Sequence, residues 1–156
     1  MAAGTGGHVF PALSIAQKLQ EQNVHTEWMG THQGMENQLL EGSGIKIHAV
    51  SVKGLKGKGI IRLLIAPIML LQALLQSIRV LAAVEPDCVL GMGGFVSGPG
   101  GLAAKLTGRK LVIHEQNAVP GFTNKLLAKV ANQVFEAFPD TFPRADKTVH
   151  TGNPLR

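Results

Sequence analysis

The stretch Asp87-Cys88-Val89-Leu90-Gly91-Met92-Gly93-Gly94-Phe95-Val96-Ser97-Gly98-Pro99-Gly100-Gly101-Leu102-Ala103-Ala104-Lys105-Leu106 decides the fold. Asp87 to Leu90 is a short apolar run and reads as a buried strand. Gly101 to Leu106 reads as a short helix. Between them, six glycines fall in the eleven residues from Gly91 to Gly101. A strand passing through a glycine-rich turn into a helix is the repeating unit of a parallel sheet covered by helices. In such sheets ligands bind beyond the carboxyl ends of the strands.

The same unit opens the chain. Gly4-Thr5-Gly6-Gly7-His8 reads as a tight loop ahead of a helix from Pro11 to Gln22, where Ala12, Ile15, Ala16 and Leu19 recur at helical spacing. Pro11 suits a helix start, where its missing N–H leaves no acceptor unserved. Further along, Val24–Met29 and Ile45–Val52 read as strands, with a short helix at Met35–Leu40 between them. Ile60–Val84 is the longest apolar stretch. Leu111–His114, Gln133–Ala137 and Thr148–Thr151 read as strands, and Phe122–Val130 as a helix. The alternation predicts an α/β, Rossmann-like parallel sheet with helices on both faces, in one domain of 156 residues. Met1–Ala3 is short for a first strand, since strands usually run ~5 residues. The chain stops just after Gly152-Asn153-Pro154, a linker-like turn, so both edges read as cut.

Composition narrows the partners. An apolar share of 45% with 16% charged residues excludes wholesale disorder. The net charge of +5 suits an anionic partner. Nucleic acid is disfavoured, because the absence of Tyr and a single Trp leave no stacking platform. The one cysteine, Cys88, lies in an apolar run and reads as a buried, inert thiol in a reducing cytoplasm. No secretory signal opens the chain. The histidines show no spacing with Cys, Asp or Glu that suits a metal, so neither metal nor cofactor is expected.

Three segments carry candidate chemistry. In Gly4–His8, glycines bring backbone N–H groups close to an anion, and Thr5 adds a hydroxyl donor. This is not the dinucleotide fingerprint, because Val9 stands where G-x-G-x-x-G requires glycine. Gly91–Gly101 repeats the design. Two such loops at one sheet edge point to a ligand with two phosphates, or to two ligands meeting; a ligand-free turn and a plain surface loop are the structural alternatives. The third segment, His114-Glu115-Gln116-Asn117 followed by Pro120-Gly121, offers hydrogen bonds to sugar hydroxyls and a carboxylate able to orient a base, or else a loop-bracing network. His8, beside the first loop, is of the residue type that most often serves as a general base.

The apolar stretch has three readings. Arg62, Gln72, Gln76 and Arg79 put a polar stripe on an otherwise apolar helix, preceded by Lys53, Lys56 and Lys58. A basic cluster beside apolar side chains is how peripheral proteins hold anionic lipid. A core helix with a solvated basic loop and a true membrane span are the other two.

Taken in order, these segments resemble one family. Gly4-Thr5-Gly6-Gly7-His8-Val9-Phe10-Pro11-Ala12-Leu13, Gly91–Pro99, His114–Asn117 with Pro120-Gly121 and Asn124-Lys125, and Gly152-Asn153-Pro154-Leu155-Arg156 are similar to the MurG family of undecaprenyldiphospho-muramoylpentapeptide N-acetylglucosaminyltransferases. The resemblance runs over essentially the whole chain. It implies the amino-terminal, acceptor-side half of a two-domain GT-B glycosyltransferase of peptidoglycan synthesis, inverting and metal-independent. N-acetylglucosamine would pass from UDP-N-acetylglucosamine to the 4-hydroxyl of lipid I, giving lipid II, at the cytoplasmic face of the inner membrane.

The resemblance also implies roles. Thr5, Gly6, Gly7, Asn117 and Arg156 match donor contacts. His8 matches a histidine proposed as base or acceptor contact. Gly93, Gly94 and Ser97 match the loop that holds the acceptor diphosphate, with His114, Glu115 and Gln116 in support. Lys53, Lys56, Lys58 and Arg62 would meet an anionic membrane surface. Phe95 stands where the family often has Tyr, which removes a hydroxyl from that point. The family's carboxy-terminal donor-binding domain is not in this chain. It is an expected partner, and turnover by the isolated chain is not expected. Two other readings compete: a non-catalytic acceptor-binding subunit of a split enzyme, and a nucleotide-dependent oxidoreductase domain. The latter calls for an acidic ribose contact after the second strand, where the chain reads Glu27-Trp28-Met29-Gly30.

Overall fold

Side chains alternate across a strand, and in this computed structural model that alternation sorts the core into two layers. Residues 1–52, 60–143 and 146–154 are described, residues 60–64 by backbone only. Ala2, Trp28, Leu90 and Met92 pack with Val9, Leu13 and Ala16 of helix α1 (Gly6–Glu21). Their immediate neighbours Ala3, Met29 and Val89 face the other way. They pack with Ala73 and Leu81 of α3 (Ile60–Val84), Ala103 and Ala104 of α4 (Ser97–Leu106) and Leu127 of α5 (Phe122–Val130). Helices therefore cover both faces.

The strands are β1 (Glu27–Gly30), β2 (Lys46–Ala49), β3 (Cys88–Gly91), β4 (Lys110–Glu115), β5 (Gln133–Glu136) and β6 (Thr148–His150), with the short helix α2 (Glu36–Leu39) between β1 and β2. All pairing is parallel, β1 with β2 and β3-β4-β5-β6 in sequence order. Met1–Ala3 joins the two groups. The Met1 amine donates to Leu90 O at 2.7 Å, and Met1 O accepts from Met92 N at 3.0 Å, the pattern of a parallel pair. Trp28 Nε1 of β1 donates to Ala2 O at 2.9 Å.

Two helices begin earlier than the sequence pattern predicts. Thr5 is the extended N-cap of α1, and its carbonyl accepts from His8 N and Val9 N. Gly6-Gly7-His8 is thus the first helical turn rather than a loop, and Pro11 sits inside the helix. Glycine costs ~1 kcal/mol against alanine in a helix, so local propensity conceals this turn. α4 likewise starts at Ser97 rather than Gly101. Its glycines are packing residues: a methyl group at Gly100 would meet Met1 Sδ at 2.2 Å, and one at Gly101 would meet Leu127 Cδ2 at 2.7 Å. α3 and α5 keep their expected limits. Cys88 is a correction: it opens β3 and is exposed, because the buried positions of that strand are Val89 and Gly91. Burial of part of the side chain still pushes its thiol pKa up.

Candidate active site

Chain segments leave the carboxyl ends of Met1–Ala3, β3 and β4, and His8, on the first, meets the other two at Gly93 and Gln116. Its ring lies over Gly93, where an added methyl group would be 2.8 Å from His8 Cε1. Gly93 has φ +98°, a backbone region that favours glycine, so the contact and the turn require the same residue. Gly94, with φ +81°, presses on the first segment itself, its missing methyl group only 2.3 Å from Ala3 O. The exposed Phe95 ring reaches Gly4, 4.0 Å from where a Cβ would stand.

From β4, Gln116 comes to His8. Its Oε1 lies 2.8 Å from His8 Nδ1. On the far side, Gln116 Nε2 lies 2.9 Å from His114 O and 3.0 Å from His114 Nδ1. His114 Nε2 in turn lies 3.0 Å from Gly152 O, just beyond β6. Asn153 Nδ2 donates to Gln116 O at 3.1 Å, so the same segment holds both ends of the link. His114 and Gln116 are buried. Burial, partly offset by the Gly152 carbonyl, lowers the His114 pKa and favours the neutral ring.

Glu115 has a different task. Its fully buried carboxylate accepts from Asn117 N and Nδ2 at one oxygen, and from Gly121 N and Asn124 Nδ2 at the other, all within 2.9–3.1 Å. The side chain bonded to His8 is therefore the Gln116 amide, not the Glu115 carboxylate, which braces the loop into α5. Glu136, beside Glu115 in register on β5, does likewise by accepting from Asp140 N and Phe142 N.

The other expected site residues divide. Thr5 and Gly7 are exposed, Gly6 half-buried, at the first turn of α1, and Asn117 is exposed with its side-chain amide bound to Glu115. Ser97 is fully buried, and its hydroxyl donates to Gly93 O at 2.7 Å and lies 3.2 Å from Met1 O. It holds the loop's shape. Lys53, Lys56, Lys58 and Arg156 lie outside the described residues, as does the Arg62 side chain. Among the described residues no group of three or more His, Cys, Asp and Glu is placed to hold a metal ion. Two roles were not read from the sequence, that of Asn124 as a brace and of the Gly152 carbonyl as an acceptor, although both residues lie in quoted motifs; a backbone carbonyl has no sequence signature.

Residues 1–136 match the Glycosyltransferase family 28 N-terminal domain. Over all 156 residues the chain is 54% identical to the UDP-N-acetylglucosamine--N-acetylmuramyl-(pentapeptide) pyrophosphoryl-undecaprenol N-acetylglucosamine transferase of Pseudomonas paraeruginosa, and it spans 44% of that protein's length. The crystal structure of Acinetobacter baumannii MurG superposes with a TM-score of 0.87 at 47% identity, covering 100% of this chain and 44% of that one. The S. aureus MnaA structure with UDP shares the fold alone, with a TM-score of 0.72 at 17% identity over 97% of this chain and 43% of that one.

Proposed function

The chain belongs to glycosyltransferase family 28, and from that premise we propose that it forms the acceptor- and membrane-side half of the peptidoglycan enzyme that converts lipid I to lipid II. The sugar moved is N-acetylglucosamine, the donor UDP-N-acetylglucosamine, and the acceptor the undecaprenyl diphosphate-linked muramoyl pentapeptide; the relatives' names support this choice. The observation that carries the reading is the convergence of His8, Gly93 and Gln116 from three strand ends. In the reaction, the acceptor 4-hydroxyl attacks the anomeric carbon and its proton passes to His8. The bond to the UDP oxygen breaks and its electron pair leaves with UDP. Attack opposite the leaving group inverts the carbon, and no metal is called for.

Thr5, Gly6, Gly7, Asn117 and Arg156 are assigned to the donor. The Gly93–Gly94 turn, leading into the amino terminus of α4, is assigned to the acceptor diphosphate, which backbone N–H groups and the helix dipole favour. Ser97 serves there through loop shape. The carboxy-terminal domain that the relatives' length implies would complete the donor pocket.

The test joins this chain to the carboxy-terminal half of the Acinetobacter baumannii relative and measures transfer to a lipid I analogue. Transfer is expected, and His8→Ala should lower kcat by about 10²-fold or more. Full turnover without His8 would remove the base assignment. Acceptor binding without transfer in the unmutated chimera would favour a binding subunit.

Membrane contact is part of the same proposal. Ile65–Val84 is long and apolar enough to cross a membrane, yet α3 buries mainly a narrow stripe of Ala66, Ala73, Ser77 and Leu81. Ile68 and Leu71 are 66% and 56% exposed, beside Ile65, Leu70 and Leu75. A core helix would cover these side chains. A surface apolar face on a helix whose sequence is preceded by Lys53, Lys56 and Lys58 and includes Arg62 suits peripheral attachment to the anionic cytoplasmic leaflet. Flotation with anionic vesicles should fall when the three lysines are changed to Glu, and unchanged flotation would remove the basic cluster from the proposal.

A further inference from the structure

We propose that Gln116 is a positioning residue that holds the His8 imidazole in its Nδ1–H tautomer and keeps the Nε2 lone pair free. The inference deepens the preceding reading, since it says how His8 is prepared to take a proton.

The fixed acceptors set each proton in turn, from the Gly152 carbonyl inward. A backbone carbonyl only accepts. Gly152 O, 3.0 Å from His114 Nε2, therefore requires a proton on that nitrogen. His114 O, 2.9 Å from the Gln116 amide nitrogen, requires the amide to present its NH₂ inward. That NH₂ also meets His114 Nδ1 at 3.0 Å, which accepts only when the His114 ring is neutral. The lowered His114 pKa agrees with this. With its NH₂ pinned between the His114 carbonyl and ring, Gln116 must turn its oxygen to His8. Oε1 only accepts, so His8 Nδ1, 2.8 Å away, carries the hydrogen.

Nε2 is then the nitrogen that takes up and releases protons. Among the described residues it has no hydrogen-bond partner, and the ring cannot swing away freely because it lies against Gly93. The chain of bonds starts at Gly152 and Asn153, so the segment leaving β6 also orders the His8 partner from 37 residues away in sequence.

The tautomer can be read without any activity. In the protein labelled with ¹⁵N-histidine, long-range ¹H–¹⁵N correlation spectra at neutral pH distinguish Nδ1–H from Nε2–H rings. The His8 ring is expected as Nδ1–H in the unmodified protein. Gln116→Met, similar in length and without polar hydrogens, should shift it towards the Nε2–H form that free histidine prefers. In the chimera above, Gln116→Met should lower kcat by about 10²-fold with KM little changed, because a mis-set base acts on the chemical step. An Nε2–H ring in the unmodified protein overturns the proposal even where the variant fails to fold. An unmoved tautomer in folded Gln116→Met also overturns it. Failure of the functional reading is separable: it would appear as full turnover without His8, with the tautomer still set by Gln116.

Discussion

At Gly7 an added methyl group would meet only Thr5 Oγ1, at an easy 3.8 Å, whereas at Gly94 it would stand 2.3 Å from the Ala3 carbonyl oxygen. The two glycine-rich segments read alike along the chain and are built differently. The second is filled from within. Gly93 receives the His8 ring, Gly94 receives Ala3, Gly100 receives Met1, and the Ser97 hydroxyl closes on Gly93 O. The first is open on its outer side, with exposed Thr5 and Gly7 beginning a helix. Glycine density thus marks close approach, and only the surroundings decide whether the neighbour is the protein's own or a ligand's.

Substitutions at these positions test the contrast. The largest expected effect is at Gly94. Gly94→Ala combines a backbone clash with a left-handed φ and should cost about 3 kcal/mol or more, lowering the melting temperature by roughly 6–12 °C. A shift no larger than that of Gly7→Ala, measured by thermal unfolding, would erase the distinction. Next comes Ser97→Ala, which leaves Gly93 O without its buried donor and should cost about 1–3 kcal/mol. Thr5→Ala, which loses no capping bond, should stay within ~0.5 kcal/mol. Denaturant titration of the pair tests whether Ser97 is the structural hydroxyl and Thr5 the free one.

The third effect is one of pH. Burial lowers the His114 pKa below its ordinary value of 6.5 in the folded chain. The unfolded chain therefore binds the proton first. The stability held by neutral His114 is complete above about pH 6.5 and declines as pH falls below it. Denaturant midpoints between pH 7.5 and 5 should fall in the unmodified protein and flatten in His114→Phe; an equal decline in both would take His114 out of the linkage. The last effect has the opposite sign. Gly7→Ala places alanine in an open helical turn and should stabilise by about 0.5–1 kcal/mol, visible as a small rise in melting temperature, while lowering donor affinity in the chimera.

Much of this architecture was legible in the sequence. Ile60–Val84 and Phe122–Val130 announce their helices by length and periodicity, and the strand–turn–helix units announce the parallel sheet and the edge where its loops gather. The helical start at Gly6 was hidden, because Gly-Gly-His has poor local propensity and is held by Thr5 O and by packing. Exposed Cys88 was misread because an apolar run does not say which alternate residue faces out. Glu115 was recognisable as important without being recognisable as a brace, since its partners Asn117, Gly121 and Asn124 are set by how the loop folds back.

Local patterning alone gives the helices on both faces, the sheet edge where the loops gather and the residue types found there. Periodicity and turn chemistry are local, and a few neighbours suffice to express them. Which groups touch was decided only by tertiary structure. His8 and Gln116 are 108 residues apart, and their 2.8 Å contact exists because the Met1–Ala3 segment and β4, on either side of β3, end at the same edge of the sheet. No local rule specifies a hydrogen bond between strand ends, and the direction of the Gln116 amide depends on a carbonyl pointing at it from the chain itself.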